Sequence, residues 1–281
     1  MTPASSQAVT RASPKRHRIA RFAGKSVHRS VRSITRALTG PGGRAYKGQV
    51  PPRARLVLLG ALGLERDGEP VPLPASARRL LAFTALHERP LSRVYVAGTL
   101  WLDSDSDERA AASLRSALWR LTRAAGEVVR ADASELSLAP WVEVDLHQVS
   151  AVAHEVLAGR AQRPDLVRRL AWAEELLPDW YDGWVEVERE RFRQLRLHAL
   201  ERLCERLCAD GRFDDALEAG LAAVRAEPLR ESAHRAMIGM HLAEGNVGEA
   251  VRQYDTCERL MSRELGVRPS RKTMRLVEGF R

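Results

Sequence analysis

Apolar residues recur every three or four positions along residues 107–123, which is the spacing of an α-helix. Five of them share one face: Ala110, Leu114, Ala117, Leu118 and Leu121. The opposite face carries Arg109, Ser113, Ser116, Arg120 and Arg123. Ser106 precedes the segment as a candidate N-cap, and Asp107 and Glu108 suit the positive end of the helix dipole. The pattern predicts an amphipathic helix that buries one face and leaves a basic face outside.

Two short strand signals and a turn follow this helix directly. Residues 128–130 and 136–138 read as strands, and residues 131–134 read as the turn between them. A helix with a basic outer face followed by a β-hairpin is the arrangement of a winged helix-turn-helix, in which the helix enters the major groove of DNA. A solvated amphipathic helix has the same periodicity, so the interpretation depends on the rest of the chain.

The residues before this helix predict the remainder of a winged helix. Segments 56–60 and 62–64 read as strands, with a hairpin turn at Asp67-Gly68, and 141–145 alternates like a closing strand. Segments 75–88 and 92–101 have helical periodicity. We therefore expect a winged helix-turn-helix domain over residues 55–145.

The loop before the helix is acidic. Asp103, Asp105 and Asp107 alternate like the start of a calcium loop, but Glu108 stands where that motif needs Gly, and Leu114 stands where it needs Glu. We reject a calcium site and interpret residues 102–106 as an acidic interhelical loop.

The second half of the chain is helical by period and contains a repeat. Segments 145–158, 164–176 and 186–209 read as helices. A constant offset then pairs Gly211 with Gly245 and Ala216 with Ala250. The offset equals the period of tetratricopeptide repeats, about 34 residues, whose helix pairs bury their faces against their neighbours. The predicted fold class is mainly α with small β-sheets: a winged helix followed by a tetratricopeptide-like helical domain over residues 146–281.

The amino-terminal segment 1–54 has a different character. It contains three Lys, nine Arg and no Asp or Glu, a net charge of +12, so the rest of the chain carries −3 of the total of +9. We expect a basic, largely disordered tail with an amphipathic helix at 19–38. The tail has three open interpretations: an arm that follows DNA phosphates, a helix for an anionic membrane surface, or an extension without an ordered role.

Composition and motifs exclude several function classes. No apolar run reaches the roughly 18 residues needed to span a bilayer, and no secretory signal follows the basic start, so we expect a cytoplasmic protein. The cysteines Cys204, Cys208 and Cys257 lack metal-ligand spacing and fit as small core residues. We find no nucleotide-binding loop, no nucleophile motif and no paired histidine ligands. We therefore expect that the protein is not an enzyme and that it binds neither a cofactor nor a metal.

Four segments of the sequence together carry a family resemblance. The segments LVLLGALGLERDGEPVPLPASARRLLAF, VAGTLWLDSDSDERAAASLRSALWRL and VDL, with LGVRPS near the end, resemble bacterial transcriptional activators of the SARP type. Members of this family have an OmpR-type winged helix followed by a bacterial transcriptional activator domain. The resemblance covers residues 55–281. It implies an activator of actinobacterial type, commonly of secondary-metabolite genes, that binds repeated promoter half-sites as two copies and contacts RNA polymerase holoenzyme.

The candidate DNA contacts follow from the helix and its surroundings. Those on the helix are Arg109, Ser113, Arg115, Ser116, Arg120 and Arg123. Arg130 in the wing, together with Arg78, Arg79 and Arg93, supplies candidate phosphate contacts. Arg can donate bidentately to a guanine edge and Ser can bond bases or phosphates, although each single Arg could equally be solvated or ion-paired. Trp119, like Arg115, lies at the edge of the exposed face, and we expect it to pack against the hairpin or the second domain rather than to intercalate.

Two further function classes remain open. A repressor or architectural protein could use the same fold on DNA. A protein-interaction adaptor could use the tetratricopeptide-like half, and the net charge of −2 over residues 55–145 favours this alternative. The four Arg against two acidic residues on helix 107–123 favour DNA.

Overall fold

The amino-terminal half of the fold is organised around a four-stranded sheet with the strand order β3-β2-β1-β7. A computed structural model describes residues 53–160 and 165–280, so nearly all of the basic tail, with its predicted helix at 19–38, lies outside the described residues. The sheet contains β1 (Ala54–Val57), β2 (Gly63–Arg66), β3 (Glu69–Pro70) and β7 (Val142–Val144). β1 pairs antiparallel with β2 and parallel with the closing strand β7. The turn between β2 and β3 has positive φ at both Asp67 and Gly68, as a tight hairpin requires.

Three helices and a second sheet follow. These elements are α1 (Ala75–Ala85), β4 (Leu91–Ser92), α2 (Arg93–Leu100), α3 (Asp107–Ala125), β5 (Val129–Ala131) and β6 (Glu135–Leu138). The prediction of a helix at 107–123 is confirmed, and α3 continues beyond it to Ala125. The predicted helix at 75–88 ends earlier, at Ala85. Strand β4 was not predicted, because so short a strand carries no periodicity; it pairs with β6 and completes a three-stranded sheet of order β4-β6-β5.

The carboxy-terminal half is helical. It contains α4 (Asp145–Leu157), α5 (Leu166–Ala171), α6 (Gly183–Ala209), α7 (Phe213–Ala226), α8 (Glu231–Glu244), α9 (Val247–Leu265) and α10 (Arg271–Met274). Helices α7 and α9 begin at equivalent positions of the predicted repeat, and the turns before them contain Gly211 and Gly245, both with positive φ. The predicted fold class, a winged helix followed by a tetratricopeptide-like domain, is confirmed. Cys204 and Cys257 are buried in this half, as predicted, and burial raises the pKa of the Cys204 thiol to about 12.

The predicted helix at 164–176 is wrong in its second part. Helix α5 ends at Ala171, where the guanidinium of Arg196 donates hydrogen bonds to the carbonyl oxygens of Leu170 (2.8 Å) and Ala171 (3.0 Å). The helix does not resume before Leu176, which bridges antiparallel to Leu59 beyond β1. A partner distant in sequence therefore overrides the local helical pattern.

One hydrophobic cluster extends from the winged helix into the helical half, which also has core clusters of its own. The cluster around the winged helix contains Leu80, Phe83 and Leu121, and also Leu177 and Phe192 from the second half. Leu177 N donates to the Leu58 carbonyl (3.0 Å), and Arg189 Nε donates to the Leu176 carbonyl (2.8 Å). The segment before α6 thus attaches the helical half to the sheet of the winged helix.

The helical half contains a buried histidine, His234, whose two ring nitrogens both have hydrogen-bond partners. The ring of His234 is 1% exposed, its Nε2 lies 2.9 Å from the Pro228 carbonyl oxygen, and its Nδ1 lies 2.8 Å from Gln253 Nε2. Because a carbonyl only accepts, Nε2 donates to Pro228, and the neutral Nδ1 accepts from the Gln253 amide. Burial lowers the pKa of His234. The hydrogen bond to the Pro228 carbonyl and the charge of Glu231 raise it by less, so the pKa stays below its usual value.

We expect this histidine to reduce stability under mildly acidic conditions. Its pKa in the unfolded chain is about 6.5, so below that pH the unfolded state binds a proton that the folded state excludes. The free energy of unfolding of the wild type should therefore fall, relative to a His234→Gln variant, as pH decreases below about 6.5. Urea titrations measure the free energy of unfolding of both proteins at neutral pH and at a pH about one unit below 6.5. An unchanged difference between the two proteins at both pH values contradicts the assignment.

Candidate nucleic-acid interface

Helix α3 is held at both ends and along one face. The Ser106 hydroxyl accepts from Arg109 N (3.3 Å) as the predicted N-cap. Gly126, with φ +73°, ends the helix, and Arg66 Nη1 donates to the carbonyl of Ala125 (3.3 Å). The buried face consists of Ala110, Leu114, Ala117, Leu121 and Ala125. With its apolar side fixed in the core, the helix presents its opposite side to solvent.

The centre of the outward side differs from the prediction. It is formed by Ala112, Ser116, Trp119 and Arg123, all exposed. Ser113 is half-buried, and Arg120, although exposed, has Nη1 3.5 Å from the Ser76 hydroxyl of α1. Trp119 is 61% exposed, so the expectation that it packs against the hairpin or the helical half is wrong. The outward face therefore has an aromatic residue in its middle.

The arginines of α3 differ in how they are held. Arg109 forms an ion pair with Asp105 in the loop before the helix. The Arg123 guanidinium lies over the Trp119 ring, 5.2 Å from its centroid, which is a cation–π arrangement. Arg115 is exposed on the same side as Trp119. Arg115 and Arg123 are thus the cations of α3 that face outward beside its aromatic centre.

The wing is formed by β5, β6 and the turn between them. The Asp132 carboxylate accepts hydrogen bonds from Ser134 N (2.8 Å) and Glu135 N (2.7 Å), which lowers its pKa and fixes the turn. Arg93 at the start of α2 donates to the Asp132 carbonyl (3.0 Å). Arg130 lies 4.9 Å from the centroid of the Trp141 ring. The structure therefore brings Arg93 and Arg130 to the wing, where phosphate contacts were predicted.

Helix α1 carries the two remaining candidates. Arg78 is half-exposed on its surface. Arg79 donates to the Leu100 carbonyl (2.5 Å) and forms an ion pair with Asp182 at the start of α6. This arginine connects α1, the end of α2 and the helical half, so we omit it from the interface proposed below.

The loop between α2 and α3 presents an apolar residue among acids. Leu102 is 81% exposed, and Asp103 and Asp105 beside it are exposed. Val94 and Tyr95 on α2 are also exposed, by 77% and 47%. The sequence predicted the acidity of this loop but not the exposure of its leucine.

The structure also brings together histidines that are scattered in the sequence. A cleft of about 400 Å³ between α1, α4 and α6 is lined by His87, His147 and His154 among other residues. Two of these rings are hydrogen-bonded to backbone carbonyl oxygens. His87 Nδ1 lies 2.8 Å from the Phe83 oxygen, and His147 Nε2 lies 2.7 Å from the Ala85 oxygen. Within residues 53–160 and 165–280, no group of three His, Cys, Asp or Glu side chains has the geometry of a metal site. Among the helices of these two ranges, none combines the length and the hydropathy that a bilayer span requires.

Fold and site together define a class of protein: a winged helix whose third helix has an outward basic face, joined to a helical-repeat domain. Residues 144–281 match the family of the bacterial transcriptional activator domain. Among solved structures, the chain is similar to Mycobacterium tuberculosis EmbR in complex with a low affinity phosphopeptide. The TM-score is 0.63 at 23% identity, covering 81% of this chain and 64% of that one. Comparison with curated protein sequences found no match.

These findings confirm the resemblance to SARP-type regulators that the sequence predicted. They support a transcriptional regulator of the SARP family. The chain spans less than two thirds of the length of EmbR, and the likeness to EmbR concerns the fold alone.

Proposed function

We propose that the protein is a sequence-specific DNA-binding transcriptional activator of the cytoplasmic nucleoid, with a DNA-binding part at residues 55–145 and an activator part at 146–281. The observation that carries this proposal is the outward face of α3, where Arg115, Ser116 and Arg123 are exposed on a helix that the wing follows directly in the chain. An α-helix fits the major groove of B-DNA, and Arg and Ser are base-reading residues there. Double-stranded DNA is the partner.

Contacts to phosphates would orient the helix in the groove. Arg93 and Arg130 lie at the wing, and Arg78 lies on α1. Such contacts fix register but carry no sequence information, whereas the side chains in the groove select the site. Arg109, which is ion-paired with Asp105, and the half-buried Ser113 lie at the edge of the face, where they would add secondary contacts to the DNA.

The family suggests how binding leads to activation. Two copies would lie side by side on repeated half-sites near a promoter, and RNA polymerase would contact the activator through the loop between α2 and α3. Leu102, which is 81% exposed and is followed by the acidic Asp103 and Asp105, gives this loop an apolar contact point for a protein partner.

A paired substitution in this loop should separate DNA binding from activation. We expect Leu102→Ala combined with Asp103→Ala to leave affinity for the DNA site within about twofold, since neither residue lies on α3. If this contact contributes at least about 1.4 kcal/mol to the binding of RNA polymerase, activated transcription should fall about tenfold or more. A matched control is Leu265→Ala with Glu264→Ala, another exposed leucine beside an acid, at the end of α9.

The test uses the full chain, a duplex selected from random DNA, and run-off transcription from a promoter carrying that duplex upstream. Increased transcript with wild type, lost in the loop variant and kept in the control, supports the proposal. Reduced transcript with wild type indicates the repressor alternative on the same fold. The adaptor alternative, which the net charge of −2 over residues 55–145 favours, predicts that no duplex is selected.

A further inference from the structure

Trp119 occupies the middle of the outward face of α3, and its exposure has no structural explanation in the fold. Its side chain is 61% exposed, although a large aromatic residue is stabilised by burial. One turn earlier on the same side is Ser116, and two turns earlier is Ala112, both exposed. This line of residues points away from the core residues Leu114 and Leu121.

The residues around Trp119 allow a close approach of the helix to a groove. Ala112 and Ser116 have short side chains, so nothing at these positions keeps the backbone of α3 away from the base edges. Trp119 and Arg123 are the long side chains that extend from the C-terminal half of this line. The helix can therefore lie deep in the groove while these two side chains reach the bases.

The contact between Arg123 and Trp119 fixes the direction of both side chains. The guanidinium lies 5.2 Å from the ring centroid, over the face of the indole. A stacked pair has fewer rotamers to lose on binding than two free side chains, which favours specific contacts. Its surface is apolar on the indole and rich in N–H donors on the guanidinium.

We propose that Trp119 is a base-reading residue that contacts the 5-methyl group of a thymine in the major groove, with Arg123 directed by the ring to the adjacent base. This inference rests on the proposed function. The thymine methyl is the apolar group that the major groove of DNA offers, and an indole edge matches it. The flanking Arg115 and Arg123 favour a polyanion over a second protein as the occupant of this face.

Replacing thymine by deoxyuridine tests this contact directly, because it removes the methyl group and leaves the hydrogen-bonding edge unchanged. The full-length wild type and the Trp119→Ala variant are titrated against the selected duplex and against duplexes with deoxyuridine at single thymine positions. We expect one position in each half-site at which the loss of the methyl weakens wild-type binding by about 3- to 5-fold, the effect of one apolar carbon. Trp119→Ala should bind more weakly overall and should not respond to that replacement.

A matched control is Trp172→Ala, because Trp172 is 75% exposed on the helical half and distant from α3 in sequence. This control should bind like the wild type and retain the deoxyuridine effect. A Trp119→Phe variant, which keeps an aromatic ring, should keep part of the effect. Equal melting temperatures of the variants confirm that each is folded.

Three outcomes overturn the inference while leaving the proposed function intact: a wild type indifferent to every thymine replacement, a Trp119→Ala variant that keeps the full effect, or a Trp119→Ala variant with wild-type affinity. Loss of self-association without loss of DNA affinity in that variant assigns the residue to contact with a second copy. A wild type that selects no duplex contradicts the proposed function itself.

Discussion

Replacing Arg115 and Arg123 together by alanine should lower the affinity of the protein for its selected duplex by roughly 100-fold or more. Each good arginine contact to a base edge contributes about 1–3 kcal/mol of discrimination, and the two side chains lie on the exposed part of α3. Affinity for unrelated duplex should fall much less, because the wing arginines and the rest of the charge remain. Fluorescence anisotropy with both duplexes over a range of salt concentrations measures the two effects separately.

The control for this prediction is Arg252→Ala with Arg259→Ala, which removes the same charge from the exposed surface of α9. Because both pairs change the net charge equally, a specific role of α3 requires that the control retain wild-type affinity. Equal losses in the two double variants would attribute the effect to overall charge and would contradict base reading by α3.

The second large effect is on stability, and it concerns Asp145. Its carboxylate accepts hydrogen bonds from Leu58 N (2.9 Å), Leu59 N (3.1 Å) and Leu146 N (2.7 Å). The residue thus connects the end of β1 to the first turn of α4, where the helix dipole also favours a negative charge. Asp145→Ala leaves these partly buried donors without their acceptor. We expect the free energy of unfolding to fall by about 3 kcal/mol, given about 1 kcal/mol or more for each lost partner.

For a folded unit of this size the corresponding decrease in melting temperature is about 6–12 °C, measurable by calorimetry or circular dichroism. Asp145→Asn should have a smaller effect, because an amide keeps one acceptor oxygen and replaces the other by a donor. The exposed Asp103→Ala serves as a control for the loss of an acidic residue. A melting temperature of Asp145→Ala equal to that of the control would show that these bonds contribute nothing.

Helix α3 and the wing could be predicted from the sequence because local rules specify them. The period of Leu114, Ala117 and Leu121, the cap at Ser106 and the stop at Gly126 all act within α3 itself. The turn at Asp67-Gly68 has an equally local cause, since Gly and Asp tolerate positive φ. The repeat in the second half of the chain predicted the helical domain for the same reason.

The features that the sequence did not predict depend on partners far along the chain. Strand β4 exists because Leu91 pairs with Leu136, and α5 ends early because Arg196 binds its last carbonyls. The sequence predicts a phosphate contact for Arg79, whereas the structure pairs it with Asp182, which directly precedes α6 and is far away along the chain. The hydrophobic periodicity of a sequence carries no information about such long-range contacts.

The candidate site was predicted in its residue types but not in its centre. A helical wheel gives directions around one axis, but the exposed side is set by how α3 packs on its neighbours. That packing turns Ser113 and Arg120 toward the edges of the face and turns Trp119 to the middle of it. The charge of the face was visible in the sequence, whereas its aromatic centre was not.

Selection from random duplex DNA with the intact protein, performed in parallel with the Arg115→Ala, Arg123→Ala variant, tests directly whether α3 reads DNA sequence. We expect the wild type to enrich one motif in repeated half-sites and the double variant to enrich no motif or a relaxed one, because the outward arginines of α3 contact the bases. Enrichment of the same motif by both proteins, or of none by the wild type, would contradict the claim that α3 is the recognition helix.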